Sequence, residues 1–243
     1  MTGPPPEPIT EAPPHRVRAI MRQTWRDLTF LHWPFDPAVI RPLIPAELTL
    51  DVYDGSAWIG LVPFMITGLI LPGAPAVPWL SAFPETNVRT YVADAAGHRG
   101  VWFFSLDAAR LPAVIGARSA YALPYFWARM SVRREGDTVH YLSHRLHGSR
   151  AAADIAVQIG QPIPEASELE VFLTARFRLF ARRFGRILKA DIEHRPWPLQ
   201  RATVTAIEQT LTEAAGVPQT AGLPLVHFAS RVDVLVAAPE RAA

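Results

Sequence analysis

SAWIGLVPFMITGLIL, residues 56–71, is the most apolar stretch of this 243-residue chain, and the way it is read decides the fold. A helix of this composition would be broken by Pro63 and weakened by Gly60 and Gly68. A strand that bends over a core accommodates all three, because Gly and Pro mark bulges and bends within sheets. The stretch is also too short and too interrupted to cross a bilayer as a helix. It therefore predicts a long, curved strand.

On its N-terminal side, RDLTFLHWPF (26–35) alternates through Leu28, Phe30 and His32 and predicts a strand closed by Pro34. DPAVIRPLIP (36–45) predicts a short helix, with Asp36 at the cap and Pro37 in the first position, stopping near Pro42. Residues 1–20 are proline-rich and are expected to be a disordered tail. On the C-terminal side, ETNVRTYVAD (85–94) and RGVWFFSLDAAR (99–110) predict a hairpin around DAAGHRG. Residues 112–120 carry the best internal helix. FWARMSVRR (126–134), TVHYLSHRLH (138–147) and AAADIAVQIG (151–160) read as three further strands. In residues 168–194 the phenylalanines 172, 177, 180 and 184 recur at helical spacing, yet Gly185 also divides the segment into two strands about a turn; the hairpin is the reading taken. LPLVHFASRVDVLVA (223–237) alternates as a closing strand. The expected fold is mainly β with small helices: one domain over residues 21–238, a strongly bent antiparallel sheet.

The chain has no cysteine, which excludes disulfides and thiolate chemistry. The N-terminus lacks the order of a signal peptide, so a soluble, cytoplasmic protein is expected, with no membrane partner. A net charge of +2 is too small to argue for nucleic acid. Lys189 is the only lysine, so amine catalysis has a single candidate. Searches for phosphate loops, dinucleotide fingerprints, zinc-helix pairs and nucleophile elbows come back empty, and no cofactor is implied.

Two clusters remain. His140, His144 and His147 look like metal ligands, but strand alternation puts the first two on one face and the third on the other, so no metal site is assigned. In PETNVRTY (84–91) the same alternation puts Glu85, Asn87 and Arg89 on one face. Three polar residues on an inner face are costly to bury unless they pair with one another, with Arg118 or with a bound anion. That makes either a structural network or a ligand-orienting wall. Asp107 is expected to cap or pair locally.

The blocks TFLHWPFDPAVIRPLIPAEL, DGSAWIGLVPF, PETNVRTYV, GVWFFSLDAAR, EVFLTARFRLF and IEHRPWPL, spread over residues 21–236, resemble the YqjF-like, DUF2071 family. That resemblance implies the fold of acetoacetate decarboxylase, a bent antiparallel sheet closing into a barrel around a polar pocket. In GARSAYALPYFWARM (116–130), Arg118 and Pro124 are similar to an arginine and a proline of the decarboxylase motif GR…GYPKK. Tyr125 and Phe126 stand where that motif has its two lysines, so the Schiff-base reaction is not carried over. The resemblance thus implies a barrel pocket that takes a small organic acid or carbonyl compound. Glu85 would move a proton, Arg118 would stabilise negative charge and Tyr125 would donate a second hydrogen bond; Asn87, Arg89 and Tyr121 would hold the ligand. Lyase, isomerase or hydrolase chemistry without an imine fits, as does a non-catalytic sensor or a barrel whose interior Tyr125 and Phe126 fill. Self-association is allowed by the sequence but not specified.

Overall fold

The computed structural model describes residues 7–8, 10–13, 16–70 and 81–242, and its longest strand is β1, Ala19–Phe35. From Leu28 to Trp33 every residue of β1 is buried. Leu28 and Phe30 join one apolar cluster while Leu31 and Trp33 join another, so both faces of the strand are covered there. Asp36 then accepts a hydrogen bond from the Ala38 amide at 2.8 Å and starts α1, Pro37–Ile40, followed by a 3-10 turn at Arg41–Leu43. The helix ends where Pro42 was expected to stop it.

After the two-residue strand β2, Thr49–Leu50, the apolar stretch forms β3, Ala57–Ile70. Its breakers have specific places. The β1–β3 ladder jumps from Arg26↔Met65 to Leu31↔Leu61, so Pro63, which has no N–H to give, falls in the interruption. At Gly60 a Cβ would lie 3.1 Å from Nε2 of the buried His32 ring, so glycine leaves room for that imidazole against β3. β4, Phe83–Ala93, pairs antiparallel with β3 and with β5, Arg99–Ala108. The turn between β4 and β5 is held by the Asp94 carboxylate, which accepts from the amides of Ala96 and His98.

α2, Leu111–Tyr121, ends at Ala122 in the left-handed region with φ 55°. β6, Tyr125–Glu135, β7, Thr138–Arg145, and β8, Ala152–Pro162, form the expected meander. α3, Glu168–Thr174, precedes a hairpin of β9, Arg178–Arg183, and β10, Arg186–His194, which turns at Phe184 and Gly185. β11, Leu199–Gln209, the short α4, Leu211–Ala214, β12, Leu225–Ala237, and β13, Glu240–Arg241, complete the order. No helix among the described residues is long and apolar enough to cross a membrane. The tail expected over residues 1–20 lies partly outside the described residues. Glu7 accepts from the Arg99 amide and from the Arg178 guanidinium, both at 3.1 Å, and β1 begins at Ala19.

The mainly β class holds, but the closed antiparallel barrel does not. Among the described residues thirteen strands run in the order β13-β10-β9-β5-β6-β7-β8-β11-β12-β1-β3-β4-β2, with an end at β13 and another at β2, and with extra pairings β4–β5 and β10–β12. The sheet is also mixed, because β5 runs parallel to both β6 and β9. The reason is that two strands divide an edge between two neighbours. β5 gives its C-terminal end to β6 and its N-terminal end to β9, and β12 gives residues 227–229 to β11 and 234–236 to β10. The result is a branched, folded-over sheet. Side-chain alternation reveals which residues are strands, not which edges meet.

Candidate functional site

A cavity of about 340 Å3 lies between two apolar clusters, with Trp25, Tyr125 and Trp197 packed against both. Its floor comes from β3, β4 and β5. In register across the ladder, Val62 and Phe64 of β3 lie opposite Asn87 and Glu85 of β4, and Leu106 and Ala108 of β5 lie opposite the same two residues. The predicted face is therefore real: Glu85, Asn87 and Arg89 all border the cavity, as a polar stripe between apolar rows. α2 covers it with Ala113, Gly116, Ala117, Ala120 and Tyr121, one face of a helix at 100° per residue. Thr174, the last residue of α3, and Arg176 just after it also line the cavity.

Glu85 is buried. It accepts a hydrogen bond of 2.8 Å from the Tyr125 hydroxyl and makes no pair with Arg89. Burial pushes its carboxyl up to about 8; the Tyr125 hydrogen bond works against that rise and the charge of Asp107 adds to it. The same burial, and then the Glu85 charge, hold the Tyr125 phenol well above its usual range. At neutral pH this end of the cavity thus presents a protonated acid and a neutral phenol. Tyr121 also lines the cavity, but its hydroxyl donates to the carbonyl of Ala237 at 3.1 Å and pins α2 to β12.

The other end is cationic. Arg89 is 8 % exposed, and among the described residues it has no carboxylate partner. Its Nη2 reaches the Leu173 carbonyl at 3.5 Å, and its guanidinium lies 5.4 Å from the Phe30 ring and 5.9 Å from the Tyr91 ring. Tyr91 in turn donates to the Leu173 carbonyl and meets His32 Nε2, both at 2.6 Å. Arg176 differs, since its Nη1 bonds Asp51 at 2.7 Å and its Nε bonds the Phe172 carbonyl. Burial still lowers its guanidinium, with Asp51 opposing. Four buried polar atoms of residues that line the cavity have no hydrogen-bond partner among the described residues: Arg89 Nε, Arg176 Nη2, Asn87 Oδ1 and Trp25 Nε1. Buried polar atoms are nearly always paired, with protein, ordered water or a ligand, so this wall is polar capacity that the chain itself does not use.

Arg118 is not in this set. It is exposed on the outer side of α2 and reaches only the Tyr125 carbonyl, at 3.4 Å. One residue past the inward-facing Ala117, the helix turns its side chain out by 100°. Phe126 does not plug the interior, because its ring faces the Arg145 guanidinium at 3.9 Å. Arg145 and Ser143 both bond the buried Asp107, at 2.8 and 3.3 Å, so the local pairing expected of Asp107 reaches instead to β7. Lys189 is outside the cavity and pairs with Glu240 at 3.2 Å. His140 and His144 are exposed on β7, and no three ligand-type side chains among the described residues are grouped to hold a metal ion.

The residues that sequence reasoning missed are Arg176 and the α3 segment that carries it into place. A signal for α3 was present. Ser167 and Glu170 form a capping box, each accepting from the other's amide at 3.3 and 2.7 Å. Nothing local distinguishes Arg176 from the other arginines of that stretch.

Comparison with known proteins agrees with this architecture. The chain is 43% identical over 218 residues to the "Uncharacterized protein YqjF" of Bacillus subtilis (strain 168), covering 89% of this chain and 90% of that one. In fold it is similar to the enduracididine biosynthesis enzyme MppR complexed with pyruvate, with a TM-score of 0.66 over 91% of this chain and 90% of that one at 11% identity. It is also similar to acetoacetate decarboxylase from Legionella pneumophila, with a TM-score of 0.63 over 99% and 92% of the two chains at 13% identity. At such identities the likeness is one of fold alone. Residues 22–233 match the family described as DUF2071, uncharacterized conserved protein (COG2071), and the chain belongs to that family.

Proposed function

We propose that the cavity binds a small organic acid bearing a carbonyl group and that Glu85 moves a proton on it without an imine intermediate. The observation that carries this reading is the buried Arg89 guanidinium, which has no carboxylate partner among the described residues, in the same wall as a neutral carboxyl. A buried cation without a counter-ion is costly, and a ligand carboxylate on the guanidinium removes that cost. Asp51 already neutralises Arg176, so Arg89 is the anion's anchor. At the opposite end, a carboxyl whose pKa is about 8 exchanges a proton readily near neutral pH, and Tyr125 holds it in place at 2.8 Å.

The chemistry that fits is proton transfer at a carbon next to a carbonyl, as in isomerase or lyase steps. In the fraction of molecules in which Glu85 is ionised, its carboxylate takes the proton from that carbon while the bonding pair moves toward the carbonyl oxygen, and the carboxyl so formed returns the proton to a carbon of the resulting enolate. Lys189 cannot contribute an imine from its pair with Glu240. The similar fold of an enzyme solved with pyruvate supports an oxo acid as the first probe.

Titration calorimetry with 4-oxopentanoate and its methyl ester tests the binding half. We expect the acid to bind at least tenfold more tightly than the ester and Arg89→Met to erase the difference; equal affinity for acid and ester would refute it. Deuterium uptake from heavy water beside the carbonyl tests the catalytic half. Uptake that persists in Glu85→Gln would show that Glu85 is not the proton carrier. No exchange in the wild type leaves the sensor reading, in which the same cavity binds without turnover.

A further inference from the structure

We infer that the acid this cavity takes is elongated, on the order of eight carbons in all with its carboxylate at one end and its reacting carbonyl near the other, rather than a three-carbon 2-oxo acid. The inference rests on the acid-binding reading above and sharpens it.

Three observations carry it. Glu85 and Arg89 are four residues apart on a strand whose register against β3 is unbroken from Ile66↔Phe83 to Gly60↔Arg89. At about 3.3 Å per residue, their Cα atoms stand about 13 Å apart. The two side chains have different partners: Glu85 is held by Tyr125, whereas the Arg89 guanidinium bonds the Leu173 carbonyl and lies 5.4 and 5.9 Å from the Phe30 and Tyr91 rings. A 2-oxo acid has its carboxylate and carbonyl on adjacent carbons and reaches one station only. A ligand that satisfies both needs a span on the order of 10 Å after a hydrogen bond at each end is allowed for.

The second observation is volume. The 340 Å3 cavity is more than ten times the roughly 30 Å3 that one water takes up in the liquid, far more room than a three-carbon acid needs. The third is the lining between the stations. Val62, Phe64 and Leu106 flank the polar stripe, and Asn87 lies midway along it, its Oδ1 without a hydrogen-bond partner among the described residues. An alkyl chain matches the apolar rows. An oxygen substituent on the chain would meet the Asn87 amide.

A calorimetric series tests the proposal on the intact chain: pyruvate, butanoate, hexanoate, octanoate, decanoate, 7-oxooctanoate and neutral 1-octanol. Each methylene buried between the apolar rows strengthens binding about fourfold, which is the ~0.8 kcal/mol of a buried CH2 converted to a ratio. We expect affinity to rise in those steps from butanoate to octanoate and to level off at decanoate. We expect 7-oxooctanoate to bind more tightly than octanoate, with that gain lost in Tyr125→Phe. Pyruvate binding as tightly as octanoate, or a flat series, would overturn the elongated class while leaving an acid site at Arg89. 1-Octanol binding as tightly as octanoate would instead overturn the acid-binding reading itself, and this inference with it.

Discussion

Replacing Glu85 by glutamine should make the protein more stable at alkaline pH, and the size of the gain can be worked from the site. Glutamine copies the shape of the protonated acid and cannot ionise. In the folded wild type the carboxyl keeps its proton up to about 8, whereas in the unfolded chain it loses it near the ordinary 4.5. Between these values the native state binds more protons than the unfolded state, so stability falls as pH rises through the window and the loss is complete above pH 8. The interval corresponds to about 5 kcal/mol at about 1.4 kcal/mol per pH unit. The buried histidines 32, 194 and 227 act in the opposite direction, since burial lowers all three and stability is lost as pH falls below their unfolded value. They are common to both proteins and cancel in the difference. Urea denaturation followed by tryptophan fluorescence from pH 5 to pH 9 gives that difference directly. We expect wild type and Glu85→Gln to agree within about 1–2 kcal/mol at pH 5, the worth of a single altered buried hydrogen bond. By pH 9 the variant should be several kcal/mol the more stable. A difference that does not change with pH would show that Glu85 titrates like an exposed carboxyl, and the neutral acid at the cavity end would be lost.

Tyr125→Phe removes the hydrogen bond that favours the Glu85 carboxylate, so the Glu85 carboxyl should move further up, read as an alkaline shift of the same stability window; a downward shift would contradict the assigned contact. Asp107→Asn leaves the fully buried Arg145 without its carboxylate and should cost about 3–5 kcal/mol in urea denaturation, whereas a loss under 1 kcal/mol would mean that the pair is solvated. Gly100→Ala places a Cβ 2.7 Å from the Arg178 carbonyl oxygen, where β5 and β9 run parallel, and should destabilise by about 1–3 kcal/mol; an unchanged midpoint would show that this close approach is not maintained.

Much of the strand content was legible because its cause is local. The alternation of β1, the Asp36–Pro37 helix start and the row Glu85, Asn87, Arg89 each follow from a period of two or a cap within a few residues. The sheet's branching was not legible. It depends on β5 dividing one edge between β6 and β9, strands that lie 20 to 80 residues away in the chain, and alternation is silent about edges. The site divided in the same way. Glu85 and Arg89 could be placed on one cavity wall because they share a strand, whereas Tyr125 borders that cavity because β6 starts there, just after α2. Arg118 was misplaced because one residue of offset on α2 sends it out into solvent. Arg176 was missed because its place is set by contacts with Asp51 and Phe172 made only after folding.

A structure of the protein solved with a bound oxo acid would test the central claim most directly. We expect the ligand carboxylate within hydrogen-bonding distance of Arg89 Nε, its carbonyl group beside Glu85 and Tyr125, and no covalent bond to protein. A carboxylate bound at Arg118 on the outer face of α2, or electron density joining the ligand to Lys189, would contradict it.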